Sequence, residues 1–241
     1  MATKTMDVDT TWYGTLMQEL VSKNIFRTSE YFKRFGNGEL TKEQAWGHLS
    51  QQYLLIKYFP RVFSGIHARC EVLEIRKECA KHLLVEDLGY FQGTVGKTPD
   101  HVELFKRIGD DLGIGREVYD KIEPIPEMAA MLNQLRRLAH EIPWPAALCT
   151  TSLGETQTID ASRVVGNALM KYYGCQPEWG GLNYIVHEKV EEEEAGDTEA
   201  VVLQYIKTKA DRAEAENAMR ESEGLRARYA DALCRRYLHK G

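Results

Sequence analysis

No stretch of the 241-residue chain approaches the run of about 20 apolar residues that a bilayer span requires. The first ten residues are polar and carry no apolar signal core. They read as a short disordered extension, residues 1–10, ahead of one domain over residues 11–241 of a cytoplasmic protein. Cysteine is sparse and its spacing is wide: Cys70, Cys79, Cys149, Cys175 and Cys234 form no Cys-x-x-Cys pair. That argues against a disulfide framework and against a structural zinc site. A net charge of -5 gives no general attraction to nucleic acid or to an anionic membrane, so neither is expected as a partner. Proline is infrequent, with 7 residues, and strand-like alternation is nearly absent.

Helical periodicity fills the space these absences leave. The pattern predicts helices over about Thr11–Lys23, Glu30–Phe35, Trp46–Phe59, Val72–Leu88, His101–Leu112, Met128–Ile142, Ala146–Tyr173 and Leu182–Ala195, with a long helical tail over Thr198–Leu238. The punctuation is physical. Thr41 with Gln44 three residues on is a capping box, Pro60 ends one helix, and Gly89 and Gly113 end two others. Residues Gln92–Pro99 form a loop. An all-α bundle of about seven to eight helices follows, and its short connections place any site between facing core helices.

Three segments carry chemistry. In Tyr184-Ile-Val-His187-Glu-Lys-Val-Glu191-Glu-Glu-Glu194, positions i, i+4 and i+7 put His187, Glu191 and Glu194 on one helical stripe. One imidazole with two carboxylates suits iron or manganese, although the same run also reads as a solvated acidic face. Glu155 follows the apolar stretch Trp144–Cys149 on a core helix, where a carboxylate needs a cation, a metal or a hydrogen bond. Glu86 follows Leu83-Leu-Val, with His101 opening the next helix and His82 as the rival imidazole one turn before Glu86.

In this order the residues resemble the haem-oxygenase-like diiron oxidases and oxygenases, within the superfamily that contains TenA thiaminases and pyrroloquinoline-quinone synthase. Members of the diiron group show a Glu, a His, a Glu on a later helix and then His-x3-Asp-x2-His. Here the series reads Glu86, His101, Glu155, His187, Glu191 and Glu194, with Glu in place of Asp at 191 and of His at 194. The contexts Glu86-Asp-Leu-Gly89 and His101-Val-Glu-Leu104 match as well, as do Leu40-Thr-Lys-Glu-Gln-Ala45 and Gln51-Gln-Tyr53. The resemblance implies a haem-oxygenase-like bundle holding two iron ions on those six residues. Glu155 would bridge or cap the ions and take part in catalysis. O2 is the implied cosubstrate, and a small molecule such as an amino acid or fatty acid is the substrate in a biosynthetic pathway. It further implies a homodimer.

Other readings stay open. Cys149, six residues before Glu155, matches the spacing of a TenA-type nucleophile, but Gln52 stands where that family has an Asp. A cofactorless oxidase resembling pyrroloquinoline-quinone synthase and a non-enzymatic helical scaffold are the remaining alternatives. Tyr53, Tyr58, Trp144, Tyr172 and Tyr184 are candidate pocket walls, and Arg61, Arg163 or Lys171 a candidate anchor for a polar substrate.

Overall fold

The computed structural model describes residues 11–91, 94–187 and 203–239. Residues 1–10, read from the sequence as an extension, lie outside that range. The fold is all-α, and among the described residues the one exception is a minimal ladder in which β1 (Tyr90–Phe91) pairs antiparallel with β2 (Thr94–Val95). The helices run α1 (Thr11–Ser22), α2 (Ile25–Thr28), α3 (Glu30–Gly36), α4 (Lys42–Tyr58), α5 (Pro60–Arg69) and α6 (Leu73–Leu88). After the ladder come α7 (His101–Leu112), α8 (Pro126–His140) and α9 (Trp144–Ala161). A helical segment over 182–187, α10, follows, and α11 (Lys209–Leu233) closes the bundle.

The local signals act as the sequence suggests. Thr41 and Gln44 satisfy each other's backbone N–H groups at the start of α4. Asp100 Oδ1 accepts from the Glu103 N–H at 2.8 Å and starts α7 at His101. Gly89 and Gly113 end α6 and α7 in the left-handed region. Two features differ from expectation. Pro60 opens α5, because a proline at the first helical position has no N–H to leave unpaired. Thr94–Val95, within the stretch Gln92–Pro99 read as loop, pairs as a strand with Tyr90–Phe91, and the Gly96 N–H donates to Gly89 O at 2.7 Å.

Two apolar clusters make the core. One gathers Tyr31, Phe32, Phe35, Leu49, Phe105, Val165, Leu169 and Tyr229. The other gathers Tyr13, Phe63, Ile66, Ile75, Ala147, Leu153 and Met219. Helix α9 packs against α11, and each contributes small buried residues to the same apolar cluster, Ala146 and Ala147 from one and Ala215 and Ala218 from the other. Beyond α9 the chain continues through two π-type turns, Ser162–Gly166 and Leu169–Tyr173. A Cβ at Gly166 would lie 2.6 Å from Tyr184 Cβ, so the glycine there lets α10 seat against this turn. Glycine 166 thereby fixes the position of a segment that carries His187.

Candidate functional site

Between the helices lies a cavity of about 440 Å³. Its wall brings together Glu86 and His82 from α6, His101 from α7, Glu155 from α9 and His187 from α10. Four of the six residues singled out in the sequence therefore share one cavity, together with the rival His82. The other two, Glu191 and Glu194, lie outside the described residues.

The connection between α6 and α7 folds back and sets His101 Nδ1 2.7 Å from Glu86 Oε2. Both side chains are nearly buried, at 5% and 13% exposure. Burial pushes the Glu86 carboxyl up, but the His101 imidazole outweighs it and holds the group below the usual carboxylate value. Burial alone would lower His101, yet Glu86, with Asp100 and Asp87 nearby, raises it overall. The pair is a buried carboxylate with its own counter-charge.

His187 stands ring to ring with His101 at 4.5 Å between centroids. Its Nδ1 donates to the Asn183 carbonyl at 2.6 Å. Burial and then the neighbouring His101 pull its pKa down to about 4, so it is neutral at physiological pH. A backbone carbonyl only accepts, which fixes the proton on Nδ1 and leaves the Nε2 lone pair available. His82 has a different setting. It stacks on Phe63 at 4.2 Å and 7°, with Nδ1 3.5 Å from Glu155 Oε1, and burial lowers its pKa. His101 thus hydrogen-bonds Glu86, while His82 lies 3.5 Å from Glu155 and also within the field of Glu86.

The donor set fits a divalent metal in kind. It combines carboxylate oxygens with imidazoles whose Nδ1 atoms are tied to a carboxylate or a carbonyl, the orientation that leaves Nε2 for a metal. Among the described residues no three His, Cys, Asp or Glu side chains converge on one point as a finished cage.

Other expectations fare differently. Of the five aromatic wall candidates, Tyr184 lines the cavity. Tyr53 is instead buried among core aromatics, and Tyr172 is 47% exposed. Arg61, Arg163 and Lys171 are all exposed. Cys149 is buried in the second apolar cluster and is not among the described cavity-lining residues. The cation that does reach the cavity is Arg226 of α11, which the sequence reading missed. Its signal was faint. Glu223, Arg226 and Tyr229 stand at i, i+3 and i+6 in a helix crowded with exposed charges. Gln52, noted as a departure from the TenA pattern, lines the cavity, as does buried His48, whose Nδ1 lies 3.0 Å from the Tyr229 hydroxyl.

Comparisons with known proteins agree with this architecture. At 28% identity over 182 residues, spanning 76% of this chain and 75% of the relative, the chain is similar to a 4-aminobenzoate synthase of Chlamydia trachomatis. A 4-aminobenzoate synthase of Chlamydia pneumoniae is 25% identical over 197 residues, 82% of this chain and 83% of its own. Among solved structures, a domain of unknown function with a heme oxygenase-like fold from Shewanella denitrificans superposes with a TM-score of 0.74 at 16% identity, covering 97% of this chain and 95% of that one. A CADD-like protein of unknown function from Nostoc punctiforme gives 0.68 at 12% identity, with 95% and 96% covered. These likenesses establish the fold as the heme oxygenase-like bundle. The model of the TENA/THI-4/PQQC family matches residues 19–156, more than half of the sequence, and the chain belongs to that family.

Proposed function

We propose that the chain is an O2-dependent oxidase that carries two iron ions in the cavity and serves the biosynthesis of a small aromatic amine of the 4-aminobenzoate kind. The observation that carries this reading is the grouping of Glu86, His101, Glu155 and His187 on one cavity wall. The relatives named 4-aminobenzoate synthase support the product class. In this reading Glu86, His101, Glu155 and His187 would hold the metals, and Glu191 and Glu194, which lie outside the described residues, would be the further ligands. Ferrous iron held there would supply the electrons for reduction of O2.

The protein's own groups have distinct tasks. His187 presents a neutral Nε2 because Asn183 holds its other nitrogen and burial disfavours the cation. Glu86 is kept ionised by His101, ready to exchange that partner for a metal. The apolar wall, including Phe26, Phe105 and Met131, excludes water from the reacting centre. A Cys149-centred hydrolase has less support, since that thiol belongs to the apolar core.

The test is iron quantitation after anaerobic Fe(II) addition, followed by exposure to O2 and chromatographic analysis for 4-aminobenzoate. The expected result is close to two irons per chain, with Glu155→Ala losing iron far more than Glu192→Ala, a change in the acidic run that by helical spacing falls off the His187–Glu191–Glu194 stripe. No iron uptake by the wild type, or equal uptake by the two variants, overturns the metal reading. Product formed equally well without iron would favour the cofactorless oxidase.

A further inference from the structure

Arg226 is the only lysine or arginine among the described residues that line the cavity. Its Nε is buried and has no hydrogen-bond partner, and no described hydrogen bond ties down the rest of its guanidinium. Arg226 is only partly buried, but a buried N–H donor left without a partner is costly, and a ligand that accepts from it would offset that cost. The nearby carboxylate is Glu223, one turn earlier on α11. Glu223 is 5% exposed and spends Oε2 on the Gln157 amide at 2.6 Å. Its field partly balances the arginine, but it does not satisfy the arginine's donors. The fork of N–H groups is therefore unspent.

The position is specific. A Cβ on Gly154 would lie 3.0 Å from Arg226 Nη2, so the guanidinium rests beside the α9 backbone at the residue before Glu155. A ligand held by Arg226 is thereby next to the proposed metal-bearing wall. The remaining surroundings define the rest of the ligand. Phe26, Ile56, Phe105, Met128 and Met131 make an apolar lining, and a volume of about 440 Å³ suits a compact small molecule.

We infer that Arg226 is the substrate-binding residue that anchors the carboxylate of a small, otherwise apolar or aromatic carboxylic acid. A planar guanidinium matches a carboxylate through two parallel N–H···O bonds. Arg226 is the one Lys or Arg of the described lining, which favours a monoanion over a phosphate ester, whose second charge would find no further Lys or Arg in the cavity and would approach the carboxylates of Glu86 and Glu155. The inference rests on this cavity being the active site, and not on the metals.

Binding to the full-length, chelator-treated protein tests it, so that iron chemistry does not enter. Calorimetric titration at pH 8 compares 4-aminobenzoate with 4-aminobenzamide, which keeps size and ring but lacks the charge. The wild type should bind the acid at least tenfold more tightly than the amide. R226Q should abolish that preference while leaving amide affinity within twofold. R226K, which keeps the charge but loses the fork, should reduce the preference severalfold and serves in its place if R226Q does not fold. Failure of the wild type to prefer the acid overturns the assignment, as does a full preference in whichever folded variant is measured. Preserved carboxylate selectivity in a protein that takes up no iron would sink the metal reading and leave this one standing.

Discussion

Glu86 and His101 meet at 2.7 Å across a 15-residue separation, and each shifts the other's pKa toward the charged form inside the bundle. Removing one partner leaves an uncompensated buried charge, whereas removing both does not. His101→Ala should therefore destabilise the metal-free protein by about 3–5 kcal/mol. The double change Glu86→Leu, His101→Leu should recover most of that loss. Urea unfolding of the wild type, His101→Ala and the double variant at pH 8 measures it, and a double variant no more stable than His101→Ala would refute the coupling.

That contact depends on how the chain returns from α6 to α7. Gly89 has φ 68°, and a Cβ there would lie 2.0 Å from Thr98 O and 2.6 Å from Pro99 O. Gly89→Ala meets both a disfavoured backbone region and a backbone clash that no side-chain motion relieves. The expected cost is about 2–4 kcal/mol, with His101 displaced from Glu86. The imidazole proton resonances of His101 should shift towards an unpaired histidine, and an unchanged resonance would contradict the prediction.

The sequence makes the bundle legible because helix signals are local. The capping box at Thr41, the Asp100 cap and the stops at Gly89 and Gly113 all act within a few residues. Glu86 and Glu155 stood out for the same reason, as carboxylates behind apolar runs. What depends on the third dimension was harder to read. Arg226 resembles its exposed neighbours Arg220 and Arg228 in every local respect, and only the approach of α11 to Gly154 turns it inward. Arg61, Arg163 and Lys171 were equal candidates by type, yet the packing leaves them outside. That both His101 and His82 would reach the cavity also needed the fold, since their distances to Glu86 and Glu155 depend on how α6, α7 and α9 pack.

Cys149 illustrates how spacing alone can mislead. Its six-residue offset from Glu155 matches a nucleophile's, but the side chain is 2% exposed among Leu148, Leu153 and their neighbours. A small buried thiol acts as a packing group. Cys149→Ala should lower stability by about 1 kcal/mol and leave iron content and turnover within twofold. Abolished turnover with normal iron content and normal folding would restore the nucleophile.

Buried His48 supplies a pH test apart from the metal-binding wall. The ring is 2% exposed, packs edge-on against Phe32 at 4.8 Å and lies beside the Tyr229 hydroxyl. Burial lowers its pKa from 6.5 to about 3, because the imidazolium would lose its hydration among aromatics. The sign follows from which state binds protons more readily. Between pH 6.5 and 3 the unfolded chain takes up a proton at this position and the folded chain does not, so acid favours unfolding. The contribution is fully present above pH 6.5 and fades as pH falls, by about 1.4 kcal/mol for each unit well below 6.5. Replacing His48 with Gln removes the titrating group while keeping a polar side chain near Tyr229. Unfolding free energies of the wild type should then fall more steeply from pH 6.5 to 4.5 than those of His48→Gln, the two curves diverging by about 2 kcal/mol at the acid end. Parallel curves would mean that His48 takes up its proton without unfolding the bundle.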